Sequence, residues 1–194
     1  MQEPEIYEYP DALAGILADS EALGFVMASA SMTGALLKTL AASKPAGRLL
    51  ELGTGTGVSA AWLLAGMDRD STLVTVDNDA AAQRIAHGHL GHDQRIDLQL
   101  ADGVEWLENN LETRFDLIFA DAWPGKFERL ELALGLLNPG GIYIVDDLLP
   151  QDSWPEGHAA RVPKLIDRIE AMPGFTSVSI AWASGLLLAV RHAE

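Results

Sequence analysis

The sequence predicts an α/β fold: a seven-stranded, mostly parallel sheet with an antiparallel last strand and helices on both faces. Three observations predict it. Short apolar runs alternate with helix-period segments along most of the chain, the pattern of parallel strands joined by crossover helices. A glycine turn, Gly53-Thr54-Gly55-Thr56-Gly57, stands between the first apolar run and the helical segment that follows it. The last two runs are separated only by Ala183-Ser184-Gly185, too few residues for a crossover helix, so they must pair as a hairpin.

Taken in order, Pro10 to Leu23 and Ser31 to Ala42 carry apolar residues at helical spacing and form two helices ahead of the sheet. Strands are predicted over 48–52, 72–77, 96–100, 116–120, 141–146, 176–182 and 186–191. Helical segments, among them 58–67, 80–90 and 104–111, fill the gaps between the first five. At 194 residues and 48% hydrophobic content the chain suits one domain with a sizeable core, and no linker or repeat divides it. Residues 1–44 supply the N-terminal helices, 45–147 the nucleotide-binding core, and 148–194 a loop, a helix and the hairpin.

Composition narrows the partners. No apolar segment approaches the roughly 20 residues needed to cross a bilayer, and Met1-Gln2-Glu3-Pro4-Glu5 is acidic where a signal peptide is basic. A cytoplasmic protein is expected. The absence of cysteine excludes disulfides, thiolate metal sites and a cysteine nucleophile. With 28 acidic against 13 basic residues the formal charge is −15, which repels polyanions and argues against nucleic acid. Such a surface favours a cationic ligand, or serves only solubility.

The most informative stretch is Leu49-Leu50-Glu51-Leu52-Gly53-Thr54-Gly55-Thr56-Gly57-Val58-Ser59. Its glycines sit where a strand must turn sharply into a helix and where a ligand can approach bare backbone. The second strand ends on Asp77, an acceptor able to serve both hydroxyls of a ribose, or alternatively a cap for the 80–90 helix. Together they point to an adenosine-type ligand, and no P-loop lysine is present to hold a phosphate.

Further landmarks follow at Ala101-Asp102-Gly103, at Phe115-Asp116-Leu117-Ile118-Phe119-Ala120-Asp121, and at Leu137-Asn138-Pro139-Gly140-Gly141. In this order the set resembles the class I methyltransferases, which use S-adenosylmethionine and share a Rossmann-like seven-stranded sheet. It is most similar to the small bacterial O-methyltransferases of the catechol and caffeoyl-coenzyme A type. The resemblance implies that Gly53, Thr54, Gly55 and Ser59 line the methionine part of the cofactor. By the same resemblance Asp77 holds the ribose, Ala101 and Asp102 flank the adenine, and Glu51, Gly57 and Asp121 complete the cofactor set. Trp123 resembles the aromatic stacked near the adenine, with core burial as the alternative. Met27 to Gly34 stands where related enzymes close a segment over the cofactor, with plain helix packing as the alternative.

Asp121, Asp146 and Asp147 end two neighbouring strands. Like charges gathered there call for a divalent cation such as Mg2+, or for direct contact with cofactor or substrate without metal. A metal would lower the pKa of an acceptor hydroxyl and hold it in line with the methyl group. Catechol-type enzymes place a catalytic lysine soon after the strand-four aspartate. Here Asp121 is followed by Ala122-Trp123-Pro124-Gly125-Lys126, so the lysine comes two residues late and either swings into the site or stays in water. Asp121, Lys126 and His158 are the candidate catalytic residues, and Trp154 a candidate wall for the substrate. His87, His89 and His92 share a helical surface and are not expected to bind metal. The expected activity is methyl transfer to a hydroxyl of a small molecule, oligomeric state being open to a homodimer. The alternatives are an NAD-dependent oxidoreductase, a polyamine synthase-like enzyme, and a cofactor-binding regulatory module without turnover.

Overall fold

The computed structural model describes residues 8–152 and 154–193, so the acidic stretch Met1 to Glu5 lies outside the described residues, as does Ser153. Seven strands form one sheet: β1 (Arg48–Leu52), β2 (Thr72–Asp77), β3 (Ile96–Leu100), β4 (Phe115–Ala120), β5 (Leu137–Val145), β6 (Phe175–Ile180) and β7 (Leu186–Arg191). Their order is β3-β2-β1-β4-β5-β7-β6. The first five pair in parallel, and β7 runs antiparallel to both β5 and β6. This is the Rossmann-like sheet that the sequence predicts.

The helices are α1 (Leu13–Leu23), α2 (Ser31–Ala42), α3 (Val58–Gly66), α4 (Ala80–Leu90), α5 (Gly103–Asn109), α6 (Trp123–Lys126), α7 (Leu130–Gly135) and α8 (His158–Glu170). Period-two alternation divides the core between the two faces of the sheet. Leu49, Leu73, Leu117, Phe119 and Ile144 meet α1 to α4 on one face. Leu50, Leu52, Ile118, Tyr143 and Val145 meet α5, α7 and α8 on the other.

Two strands differ from expectation by more than one residue at an end. β5 begins at Leu137, which pairs with Phe115 before a register shift brings Ile142 opposite Leu117. β6 stops at Ile180 because Trp182 turns away: its backbone N–H donates to Ile180 O at 2.9 Å and its indole N–H to Met32 O at 2.9 Å.

Register positions the site. Leu52 lies opposite Val76 on one side and Ala120 on the other, and Ala120 lies opposite Val145. The next residue on each strand therefore falls into one row across the C-terminal edge, in the order Asp77, Gly53, Asp121, Asp146. The strand order reverses between β1 and β4, the position at which open α/β sheets leave a crevice.

α2 and α3 approach closely because small residues meet there. A Cβ on Gly34 would lie 2.3 Å from the Trp62 ring, and one on Gly66 only 2.0 Å from the carbonyl oxygen of Lys38. Backbone cannot yield as a flexible side chain can, so Gly66→Ala should push α2 off α3 and cost about 2 kcal/mol or more. Urea unfolding of the variant checks this, and an unchanged midpoint would contradict it.

Candidate functional site

A cavity of about 650 Å³ opens over the row of strand ends, within the roughly 300–1,000 Å³ usual for small-molecule sites. The glycine turn and Asp77 form one side, Asp121 to Trp123 with Lys126 the centre, and Asp146, Asp147, Trp154, His158 and Ser184 the far side. The segment Phe25 to Ala30, just before α2, lies across it. Met27 to Ala30 thus border the cavity as a covering segment, and regular helix begins only at Ser31.

On the glycine side, Gly55 adopts φ +50°, and its N–H donates to Asp77 Oδ2 at 2.7 Å. The N–H of Asp79 donates to Asp77 Oδ1 at 2.8 Å. Each carboxylate oxygen thus spends one lone pair on backbone and keeps another. The cap of α4 is taken by Asp79, whose Oδ1 accepts from the N–H groups of Ala81 and Ala82. Asp77 is free of that role.

Beneath the turn runs a buried polar chain. Thr75 donates to Glu51 Oε2 at 2.5 Å, so the 2.6 Å contact between Thr75 and Thr54 has Thr54 as donor. Glu51 is fully buried and does not border the cavity, so it supports the turn from below. Burial pushes its carboxyl up to about 7, against the pull of the Ser59 and Thr75 hydroxyls, and the charge of Asp77 adds to the rise. Ser59 borders the cavity, whereas Gly57 faces Ala86 of α4. Ala101 and Asp102 do not border it. Asp102 caps α5, accepting from the N–H groups of Val104 and Glu105.

At the centre, Asp121 Oδ2 accepts from the Ser29 hydroxyl at 2.9 Å, tying the covering segment to β4. Burial, reinforced by the charge of Asp146, holds the Asp121 carboxyl well above the usual range, while Lys126 opposes the rise. Lys126 is not left in water. It is 1% exposed, because the turn before it is locked: Gly125 takes φ +81°, its N–H donates to Glu128 O at 2.7 Å, and the buried Tyr143 hydroxyl donates to its carbonyl. A Cβ on Gly125 would strike Leu52 at 2.3 Å. Trp123 borders the cavity beneath the Arg161 guanidinium, 4.3 Å from its ring centre.

Asp146 is buried and accepts from the Ser184 hydroxyl and from the N–H of Asp147. Burial raises its carboxyl, with Ser184 opposing. Asp147 adopts φ +62°. Among the described residues, no three His, Asp or Glu side chains converge as metal ligands. The expected trio of Asp121, Asp146 and Asp147 shares a cavity without forming a ligand set.

His158 opens α8 and is 3% exposed, not solvated in the loop. Its Nε2 lies 3.1 Å from the Asp147 carbonyl, which can only accept, so Nε2 carries the proton. Nδ1 has no partner but is sealed from solvent, and Trp154 stacks on the ring at 4.5 Å. Burial lowers the imidazole below its ordinary range. In this arrangement His158 forms part of the wall of the cavity. His89 pairs with Asp19 at 2.7 Å and joins α4 to α1.

Known proteins share this sequence and architecture. Residues 50–148 match the methyltransferase domain family. A relative from Mycolicibacterium vanbaalenii, described as a "putative O-methyltransferase", is 34% identical over 174 residues, covering 81% of this chain and 74% of its own. The chain belongs to the O-methyltransferase family. A second relative of the same description, from Mycolicibacterium smegmatis, is 35% identical over 174 residues, covering 81% and 80%. The crystal structure of a "putative O-methyltransferase" from Klebsiella pneumoniae matches with a TM-score of 0.81 at 27% identity, over 94% of this chain and 90% of that one. The tomaymycin-synthesis O-methyltransferase of Streptomyces achromogenes, solved in complex with SAM, shares the fold with a TM-score of 0.83 at 22% identity, over 97% and 93%.

Several residues of this methyltransferase site carry no local signal in sequence. Ser29 reaches Asp121 across 92 positions, Ser184 reaches Asp146 across 38, and Tyr143 reaches Gly125 across 18. Ser29 stood in the marked segment Met27 to Gly34, Tyr143 in a predicted strand and Ser184 in the hairpin turn, yet nothing in any of them announced its distant partner.

Glu51 makes a pH dependence testable. Its ordinary value is 4.5 and its folded value about 7, so between these the folded methyltransferase holds more proton than the unfolded chain. The stability it contributes is complete below 4.5 and is lost as pH rises through about 7. Glu51→Gln keeps an oxygen for Thr75 and removes the titration. Relative to the parent, the variant should gain up to about 3 kcal/mol across that window. Urea unfolding at a series of pH values measures it, and a pH-independent difference would refute the assignment.

Proposed function

We propose that the chain transfers the methyl group of S-adenosylmethionine to a hydroxyl of a small molecule bound in the 650 Å³ cavity. One observation carries this reading: a single cavity holds the bare-backbone glycine turn, an Asp77 with acceptor capacity to spare, and the polar groups Asp121 and Lys126. Related structures solved with SAM or SAH support the choice of cofactor. When bound, the sulfonium supplies an electrophilic methyl group, and its spent form is the thioether S-adenosylhomocysteine. A water-borne acceptor in the cytoplasm suits the acidic surface and the lack of any bilayer-length helix among the described residues.

The roles follow from what each side chain has free. Asp77 accepts from the ribose hydroxyls with its remaining lone pairs. The backbone at Gly53 to Gly55 admits the methionine part, and the covering segment, tethered by Ser29, excludes water. Asp121 Oδ1 has no protein donor among the described residues, and its burial makes the ionised carboxylate a stronger base than usual. It takes the proton of the acceptor hydroxyl. The acceptor oxygen then forms its bond to the methyl carbon, the carbon–sulfur bond breaks with its electron pair going to sulfur, and Asp121 later gives the proton to water.

Asp77→Ala should weaken S-adenosylmethionine binding by on the order of 100-fold in calorimetry. Asp121→Asn should leave that binding within a few-fold and lower turnover by about 100-fold or more with a phenol or hydroxy-acid acceptor. Binding of NAD in place of S-adenosylmethionine would refute the reading, and full turnover in Asp121→Asn would refute the base.

A further inference from the structure

The three acids gathered at the edge of this site raise the question of what neutralises them. We propose that the Lys126 ammonium is a built-in substitute for a divalent cation, holding the developing oxyanion of the acceptor, and that this site takes no metal. The inference rests on the proposed methyl transfer.

Four observations carry it. First, Lys126 is held at the cavity by a locked turn: the Pro124-Gly125 bend, the Gly125 to Glu128 hydrogen bond, and the Tyr143 hydroxyl on Gly125 O. Second, among the described residues its Nζ has no hydrogen-bond partner and no carboxylate at ion-pair distance, its recorded neighbour being the Phe127 ring at 5.6 Å. A cation buried to 1% exposure with no carboxylate in direct contact is costly and is expected where something charged is meant to meet it. Third, its charge acts on both Asp121 and Asp146, so it already provides the compensation that a metal would bring. Fourth, the acids are not arranged as a ligand set. Ser184 and the Asp147 N–H occupy Asp146 Oδ1, Ser29 occupies Asp121 Oδ2, and among the described residues no three acids converge. A divalent ion would have to use the remaining single oxygens and sit beside a fixed positive charge.

The test uses the full-length protein saturated with S-adenosylhomocysteine and Mn2+ as the probe, read by electron paramagnetic resonance. The Mn2+ signal should remain that of the free ion up to millimolar concentration, and methyl transfer should be equal in EDTA and in added Mg2+. Lys126→Met should lower turnover by on the order of 100-fold while cofactor affinity stays within a few-fold, a split that a merely structural role would not give. Stoichiometric Mn2+ bound by the parent protein and lost in Asp121→Asn, or activity abolished by EDTA and restored by Mg2+, would overturn the inference. If Lys126→Met does not fold, the parent-protein Mn2+ titration decides alone. A failure of S-adenosylmethionine to bind would instead strike the reading on which the inference rests.

Discussion

The parallel register of β2, β1, β4 and β5 is the constraint on which the rest of the molecule depends. Strands aligned residue for residue end together, so the side chains one step beyond the last paired residues have no choice but to gather. Packing on both faces fixes this register: Leu49 and Leu117 serve one layer of helices, Leu50 and Ile118 the other. A slip by one residue on any strand would carry Leu49 or Leu50 and their counterparts to the wrong face and move an aspartate out of the row. Chemistry at the edge is thus secured by burial in the middle of the sheet, far from any ligand.

Placing so many ionisable groups at one edge has an electrostatic cost, and the fold meets it differently at each position. Glu51 is offset by hydroxyls and a raised affinity for its proton, Asp146 by Ser184 and an adjacent amide, and Asp121 by Ser29 and the nearby Lys126. Neutral donors stabilise an anion in a dry site without importing a second charge to be desolvated. Lys126 is the exception, a full charge carried inward on a turn that Tyr143 and Gly125 lock.

What the sequence made legible was whatever depends on neighbours along the chain. The glycine turn, the strand-ending aspartates and the hairpin each announce themselves within a dozen residues, and the family landmarks reinforced them in order. Position alone did not decide between roles. Asp77 read as ribose acceptor or helix cap until Asp79 was seen to hold the cap, and Lys126 read as buried or solvated until Tyr143 was seen to hold its turn. His158 read as a candidate catalytic residue, and its burial was hidden because Trp154 and Phe127 reach it only through the tertiary fold. The acid trio was gathered into one cavity, and two of its carboxylates also meet the hydroxyls of Ser29 and Ser184, which are remote in sequence.

Asp77 and Asp79 divide the labour at one point of the crevice. The N–H groups that open α4 are met by Asp79, so the cap itself does not draw on Asp77, whose oxygens instead hold the N–H groups of Gly55 and Asp79. The acid facing the crevice and the acid that starts the neighbouring helix are thus separate side chains two positions apart, joined through a single backbone N–H.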